Sequence, residues 1–440
     1  MRILFLLQPG TNSRSIFVGM IHGARAAGHE PLVMELAPIF RALAQHPAQR
    51  VEIATQAAAG LRATVERHRP DLSIAMWANG ITCFAGVSID GQAFSIFDGL
   101  KLPHLCWWLD GPQWATGGSA HGFFGTPAIR SPYVRHLINS PSSAAEMTQL
   151  LGFGRTTALP YAIDEQVMKP ARAAQLKFDL VASCGPGDPA PTAGALRELE
   201  NDTPDVEAIR RDYANGARLK LTTLRPIAPP PAPQVAEEAW LALVDALITS
   251  QLASRTTPVL DRVRALSPTH PAAETLLQNP TLYAKVSMTL REIEGFERAF
   301  TISWLSRRFR VATFGGWDAA TWKSHAHNLG ELPFEDMPKA YGQAAAALNV
   351  MRWQDDHGIN IKPFEITASA TPCLCAARVG LNQCFTPGEE LLTFEGPHAA
   401  ALALRELLDS PAKRNSIAAQ GLARSQRDHT WKSRIASVLQ

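Results

Sequence analysis

Short apolar runs, punctuated by polar turns that often contain glycine, alternate along this chain with longer stretches whose apolar residues recur every three or four positions. That alternation predicts strand, loop and helix in succession, the pattern of an α/β protein with parallel sheets. RILFLL (2–7) reads as a buried first strand, QPGTNSRS (8–15) as a turn, IFVGMIHGARAAG (16–28) as a helix ended by Gly28, and PLVMEL (31–36) as the next strand. Residues 39–70 carry one helical pattern, DLSIAMWANG (71–80) runs from strand into loop, and KLPHLCWWLDGP (101–112) does the same. INS (138–140), SSAAEMTQLLGFG (142–154) and TTALPYAID (156–164) supply a strand, a helix and a strand, after which VMKPARAAQ (167–175) reads as a linker.

The pattern then restarts. FDLVASCGPGDP (178–189) is a strand with a glycine loop, and FRVATFGGWD (309–318) is another. Between them, residues 236–254, 257–266 and 280–308 carry amphipathic stripes, which mean packing more often than chemistry and predict a helical insertion. PAPTAG (189–194) and RPIAPPPAP (225–233) are proline-rich, the second an extended surface connection. NLGELPFEDMPKAYGQAA (328–345) predicts a strand or turn and a helix. AAAALNVMR (344–352) is a buried strand, WQDDHGIN (353–360) a polar loop, KPFEITASA (362–370) a helix that tolerates Pro363 in its first turn, and TPCLCAA (371–377) a further strand. No internal repeat is evident.

Composition narrows the reading. The chain has 440 residues, which suits two domains and an insertion better than one core. Hydrophobic residues at 46% with 19% charged describe a soluble globular protein, and a net charge of +2 argues against a nucleic-acid partner. The six cysteines lie mostly in apolar runs without zinc or redox spacing and are expected to be reduced and buried. The apolar run near Met1 spans five residues, shorter than a signal-peptide core, and no run approaches a membrane span, so the expectation is a cytoplasmic protein.

Parallel sheets bind ligands at the carboxyl ends of their strands, which singles out particular residues. On the first sheet these are Gly10, Asn79 and Asp110, with Trp108 beside them. Asp110 follows a bulky strand and precedes Gly111-Pro112, so its carboxylate is expected at the mouth of a cleft, partly desolvated by neighbouring tryptophans and suited to act as a general base. His121 is the second candidate for that role, and an Asx turn is the plain alternative for Asp110. The opening loop has one glycine where a dinucleotide fingerprint has three, which disfavours nicotinamide binding. On the second sheet, Gly185 and the run Gly315, Gly316 and Trp317 allow close backbone approach to a ligand. The start of the 362–370 helix offers amides and a dipole to a phosphate, Lys362 adds a charge, and Glu365 is placed to accept hydroxyl hydrogen bonds.

At these residues the chain resembles the CgeB-like glycosyltransferases of the GT-B fold. The likeness rests on LNV (348–350), DDHGIN (355–360), KPFE (362–365) and ATPCLCA (370–376), continues in FTPGEELLTF (385–394) and RDHTWKSRIASVLQ (427–440), and includes LCWWLDGP (105–112) and residues 137–164. It fails between about Asp188 and Arg298. The resemblance implies two Rossmann-like domains facing a cleft: residues 1–166 for an acceptor, with the helix 429–440 packing back on them, and 176–428 for a nucleotide-sugar donor, with an insertion over about 190–305. It implies transfer of a sugar from a nucleotide-diphosphate sugar to an acceptor hydroxyl on a protein or glycan, with no other cofactor and no metal. The donor set it implies comprises Gly185, Gly315, Trp317, Leu332 in the base-reading segment, Arg352, Asp356, His357, Asn360, Lys362 and Glu365. His357 stands eight positions before Glu365, where related retaining enzymes carry an acid, so the stereochemical outcome stays open and Asp356 becomes a rival contact. Lys362 stands where the family more often has arginine and acts only as a point charge. A GT-B-shaped assembly protein without transfer activity and a nucleotide-sugar epimerase are the other readings.

Overall fold

The computed structural model describes residues 1–115, 122–185, 188–224, 235–351, 353–354 and 356–439 and, for Thr11 and Asn12, the backbone alone. The chain divides into two compact units, one of Met1–Pro160 with Thr430–Gln440 and the other of Tyr161–His429. Each is an α/β unit on a six-stranded, wholly parallel sheet, as the alternation of apolar runs and helical stripes predicts.

In the first unit the strands are β1 (Arg2–Leu7), β2 (Glu30–Glu35), β3 (Leu72–Met76), a separate hairpin of β4 (Val87–Ile89) and β5 (Gln92–Phe94), then β6 (His104–Trp108), β7 (Val134–Ile138) and β8 (Thr156–Ala158). Their sheet order is β2-β1-β3-β6-β7-β8. The helices are α1 (Thr11–Ala26), α2 (Ala37–Gln45), α3 (Arg50–His68), α4 (Asn79–Thr82), α5 (Ile96–Leu100), α6 (Pro127–Arg130) and α7 (Pro141–Gln149). Successive β1 side chains serve opposite faces: Leu4 and Leu6 join Ala57, Ala58 and Leu61 of α3, while Phe5 meets Phe17 of α1 with ring centroids 5.5 Å apart. Burial on both faces explains why β3 and β6 are mostly apolar, with Ser73 and His104 their polar exceptions.

Three expectations here are corrected. α1 starts at Thr11, inside the stretch 8–15 read as a turn. The single helix over 39–70 breaks at His46, whose φ of −130° and ψ of 63° leave the helical region because Pro47 follows it. The strand expected at 138–140 lies earlier, over Val134–Ile138, with Arg135 and His136 inside it.

In the second unit the strands are β9 (Phe178–Ser183), β10 (Val311–Phe314), β11 (His327–Asn328), β12 (Ala344–Asn349), β13 (Cys373–Ala376) and β14 (Leu392–Phe394), in the order β11-β10-β9-β12-β13-β14. Between β9 and β10 the described residues form α8 (Ala193–Glu198), α9 (Val206–Thr222), α10 (Glu237–Ala253), α11 (Val259–Leu266), α12 (Pro271–Leu277), α13 (Pro280–Arg291) and α14 (Glu297–Leu305). The stripe read as one helix over 280–308 is interrupted by a 3-10 turn at Glu292–Glu294. After β11 come α15 (Met337–Gly342), α16 (Lys362–Ala368), α17 (Leu381–Cys384), α18 (Gly396–Asp409) and α19 (Pro411–Asp428). Leu180, Ala182, Ala346, Leu348 and Leu374 share a core with α14 and α18, and the alternate strand residues face the other way.

The last helix, α20 (Trp431–Leu439), belongs to the first unit. It lies so close to α1 that a Cβ on Gly23 would stand 2.5 Å from the backbone of Trp431, and the Trp431 ring meets Trp107 edge-on at 5.2 Å.

Candidate functional site

The carboxyl ends of β9, β10 and β12 gather most of the residues singled out on the second sheet. Gly315, directly after β10, has φ +109°, and a Cβ there would fall 1.9 Å from the Cys184 carbonyl oxygen, so only glycine fits. Its amide donates to the Gly330 carbonyl at 2.8 Å, which ties the loop after β10 to the segment containing Leu332, a half-buried residue. Gly185 has open space at its Cα, and its carbonyl accepts from Arg298 Nη2 at 3.0 Å. The same guanidinium forks onto Asp188 at 3.0 and 2.7 Å, fixing the far end of the β9 loop. The Trp317 side chain is buried in the α14 and α18 core.

The loop ahead of α16 is held by side-chain amides. Asn360 Nδ2 donates to Asn349 Oδ1 at 3.0 Å, and its Oδ1 accepts the Lys362 amide at 3.1 Å, an Asx turn that starts the helix. Glu365 is 1% exposed. Its Oε2 accepts Lys362 Nζ at 2.8 Å and the Tyr341 hydroxyl at 3.3 Å. Burial, first, and the adjacent Glu365 carboxylate raise the Tyr341 pKa well above the ordinary phenol value, so Tyr341 is a fixed donor. Lys362 and Glu365, expected to meet a ligand separately, therefore form a pair. Lysine has three donors, so Nζ retains hydrogens beyond the bond to Glu365.

Asp356 and His357 are directed elsewhere. Asp356 is 6% exposed; Oδ1 accepts Arg291 Nε at 3.0 Å, and Oδ2 accepts Arg291 Nη2 at 2.7 Å and the Val259 amide at 3.1 Å. His357 Nε2 lies 2.7 Å from the Thr256 carbonyl, to which it donates. The structure thus places both side chains on the helical region. Arg352 lies outside the described residues.

On the first sheet, Gly10 (φ +109°) caps α1, and buried Asn79 donates to Gln8 Oε1. Trp108, expected among the acceptor contacts, lies in the core. It is 1% exposed, packs edge-on against Phe153, and donates from Nε1 to His136 Nδ1 at 3.1 Å. His136 in turn donates from Nε2 to the Ile129 carbonyl at 2.9 Å. Burial holds His136 down to about 4 and His104 to about 3, so both rings stay neutral. Asp110 is half-buried just past β6, and three residues on, buried Gln113 donates to the fully buried Glu146 carboxylate at 2.9 Å. His121 lies outside the described residues.

Among the described residues no cluster of three His, Cys, Asp or Glu could hold a metal ion, and no helix is long and apolar enough to cross a membrane. All six cysteines are buried and free, with burial pushing the Cys83 thiol up to about 11 and Cys184 to about 12. Sequence reasoning missed Tyr341, Arg291 and Glu146. The first two reach their partners across 24 and 65 positions, and only the periodic burial of their helices was visible beforehand.

Residues 291–440 match a family model described as glycosyl transferase-like. No curated protein matches the chain. Among solved structures, it is similar to sucrose-phosphate synthase from Thermosynechococcus elongatus at 12% identity and a TM-score of 0.47, over 100% of this chain and 97% of that one. It is also similar to Anabaena HepE in complex with UDP-glucose at 13% and 0.48, covering 100% and 99%, and to T4 phage BGT in complex with UDP-glucose at 9% and 0.47, covering 100% and 98%.

Proposed function

We propose that this protein is a GT-B glycosyltransferase of the CgeB-like type, moving a sugar from a nucleotide-diphosphate sugar to an acceptor hydroxyl on a protein or glycan. One observation carries the reading. Asn360, Lys362 and Glu365 are assembled at the start of α16, at the carboxyl edge of a parallel sheet, inside the stretch that matches the glycosyl transferase-like family.

In this reading the donor diphosphate meets the α16 amides and the free N–H groups of Lys362, with Arg352 nearby in sequence. The ribose or sugar hydroxyls donate to Glu365, and Leu332 and its neighbours read the base through backbone groups. The acceptor oxygen attacks the anomeric carbon as the carbon–oxygen bond to the diphosphate breaks, and Asp110 takes the hydroxyl proton. Charge building on the leaving diphosphate is offset by Lys362 and the helix amides, so neither a metal nor a further cofactor is required.

Calorimetry with uridine, guanosine, adenosine and thymidine diphosphates should find one that binds. Turnover with the matching sugar donor should persist in EDTA, and Asp110→Asn should lower it roughly a hundredfold with donor affinity unchanged. Absence of binding by every nucleotide at millimolar concentration would overturn the reading; near wild-type turnover in Asp110→Asn would remove Asp110 as the base.

A further inference from the structure

We propose that Asp356 and Arg291 are positioning residues through which the α10 to α13 helices hold the donor-site loop, an inference that rests on the donor-site reading of α16. The loop 356–360 is tied down at each end. At its start, the Arg291 guanidinium at the end of α13 forks onto Asp356 at 3.0 and 2.7 Å, with side chains 2% and 6% exposed. The same carboxylate accepts the first amide of α11, from Val259 at 3.1 Å, so it also serves as that helix's cap.

His357, next along, donates to Thr256 in the α10–α11 connection, and its carbonyl accepts the Gly380 amide at 3.0 Å. That approach depends on glycine, since a Cβ on Gly380 would stand 2.4 Å from the His357 oxygen. At the far end Asn360 bonds Asn349 and the Lys362 amide. The Asp356 clamp and the amides that open α16 are therefore ends of one short, doubly anchored segment.

Energetics separates positioning from bulk stability. A buried ion pair is a poor stabiliser compared with apolar side chains of similar size, whereas its bidentate geometry fixes direction. Replacing both partners by apolar residues, Arg291→Met with Asp356→Leu, should lower the melting temperature by only a few degrees, the cost of the lost α11 cap, while freeing the loop. Single variants would instead strand a buried charge, so the pair is the informative change.

Hydrogen exchange of residues 350–361, read without ligand, should accelerate in the double variant while β9 and β12 keep wild-type protection. With the sugar donor of the nucleotide diphosphate that binds the wild type, donor KM should rise roughly tenfold or more in the double variant, in keeping with the sensitivity of reacting geometry to small misplacements, whereas Arg291→Lys alone should raise it less. Wild-type exchange in the loop of a stable double variant overturns the clamp, whatever the protein binds. Accelerated exchange with unchanged donor KM overturns its role in positioning the donor. If the wild type binds no nucleotide at all, the functional reading fails separately, and the exchange arm still decides the clamp.

Discussion

Lys362→Met should destabilise the second unit, and more than Glu365→Gln does. The Glu365 side chain is 2% exposed and that of Lys362 26%, with Nζ 2.8 Å from the carboxylate. Removing the ammonium leaves a buried carboxylate whose remaining side-chain donor, among the described residues, is the Tyr341 hydroxyl 3.3 Å away. Breaking a fully buried pair in this way costs about 3–5 kcal/mol, but water reaches Lys362, so we expect roughly 1–3 kcal/mol. At about 2–4 °C per kcal/mol for a unit of this size, the melting temperature should fall by roughly 2–12 °C in differential scanning calorimetry. Glu365→Gln preserves an acceptor for Tyr341 and leaves behind only a partly exposed ammonium, so its cost should stay below about 1 kcal/mol. Combining the two removes the stranded charge, and the double variant should regain most of the loss, a coupling of about 1–2 kcal/mol. Purely additive effects, or an unchanged melting temperature in Lys362→Met, would refute the pairing. The same cycle shows why donor affinity in either single variant has to be read beside its stability.

Two further outcomes follow from the geometry. Gly315→Ala should cost roughly 2–5 kcal/mol in chemical denaturation, from a disallowed φ and a Cβ pressed onto the Cys184 carbonyl, whereas Gly185→Ala, with open space at its Cα, should stay within about 1 kcal/mol; equal stability of the two variants would contradict the loop geometry. Acidification should weaken the first unit through His104 and His136. Their folded values, about 3 and about 4, lie below the unfolded value near 6.5, so the unfolded chain binds the protons first. The stability they support is therefore complete above pH ~6.5 and falls by up to about 1.4 kcal/mol per unit and per histidine as pH drops toward 4. Amide protection in β6 and β7 that stays constant between pH 7 and 5 would show that the rings are not buried neutral.

What the sequence determined by itself is local. Runs such as LCWW and AAAAL had to be strands buried on both faces, because nothing polar interrupts them, and Pro363 could open a helix because the first turn lacks an amide partner in any case. The break at Pro47 was equally local and could have been read. Even the Lys362–Glu365 pair was within reach, since residues three apart share a helix face.

Tertiary structure decided the rest. Trp108 and Trp317 follow or end strands, where a sequence suggests exposure at a site, yet both are buried, Trp317 against α14 and α18 and Trp108 against Phe153 and His136. Asp356 sits in a polar loop that reads as ligand-facing until α13 folds over it and brings Arg291 across 65 positions. Gly315 is required by a carbonyl that belongs to the neighbouring strand's loop. Local backbone preference and hydrophobic period act over a few residues, so they specify elements; the partner that a buried charge or a tight turn demands is set only when those elements pack.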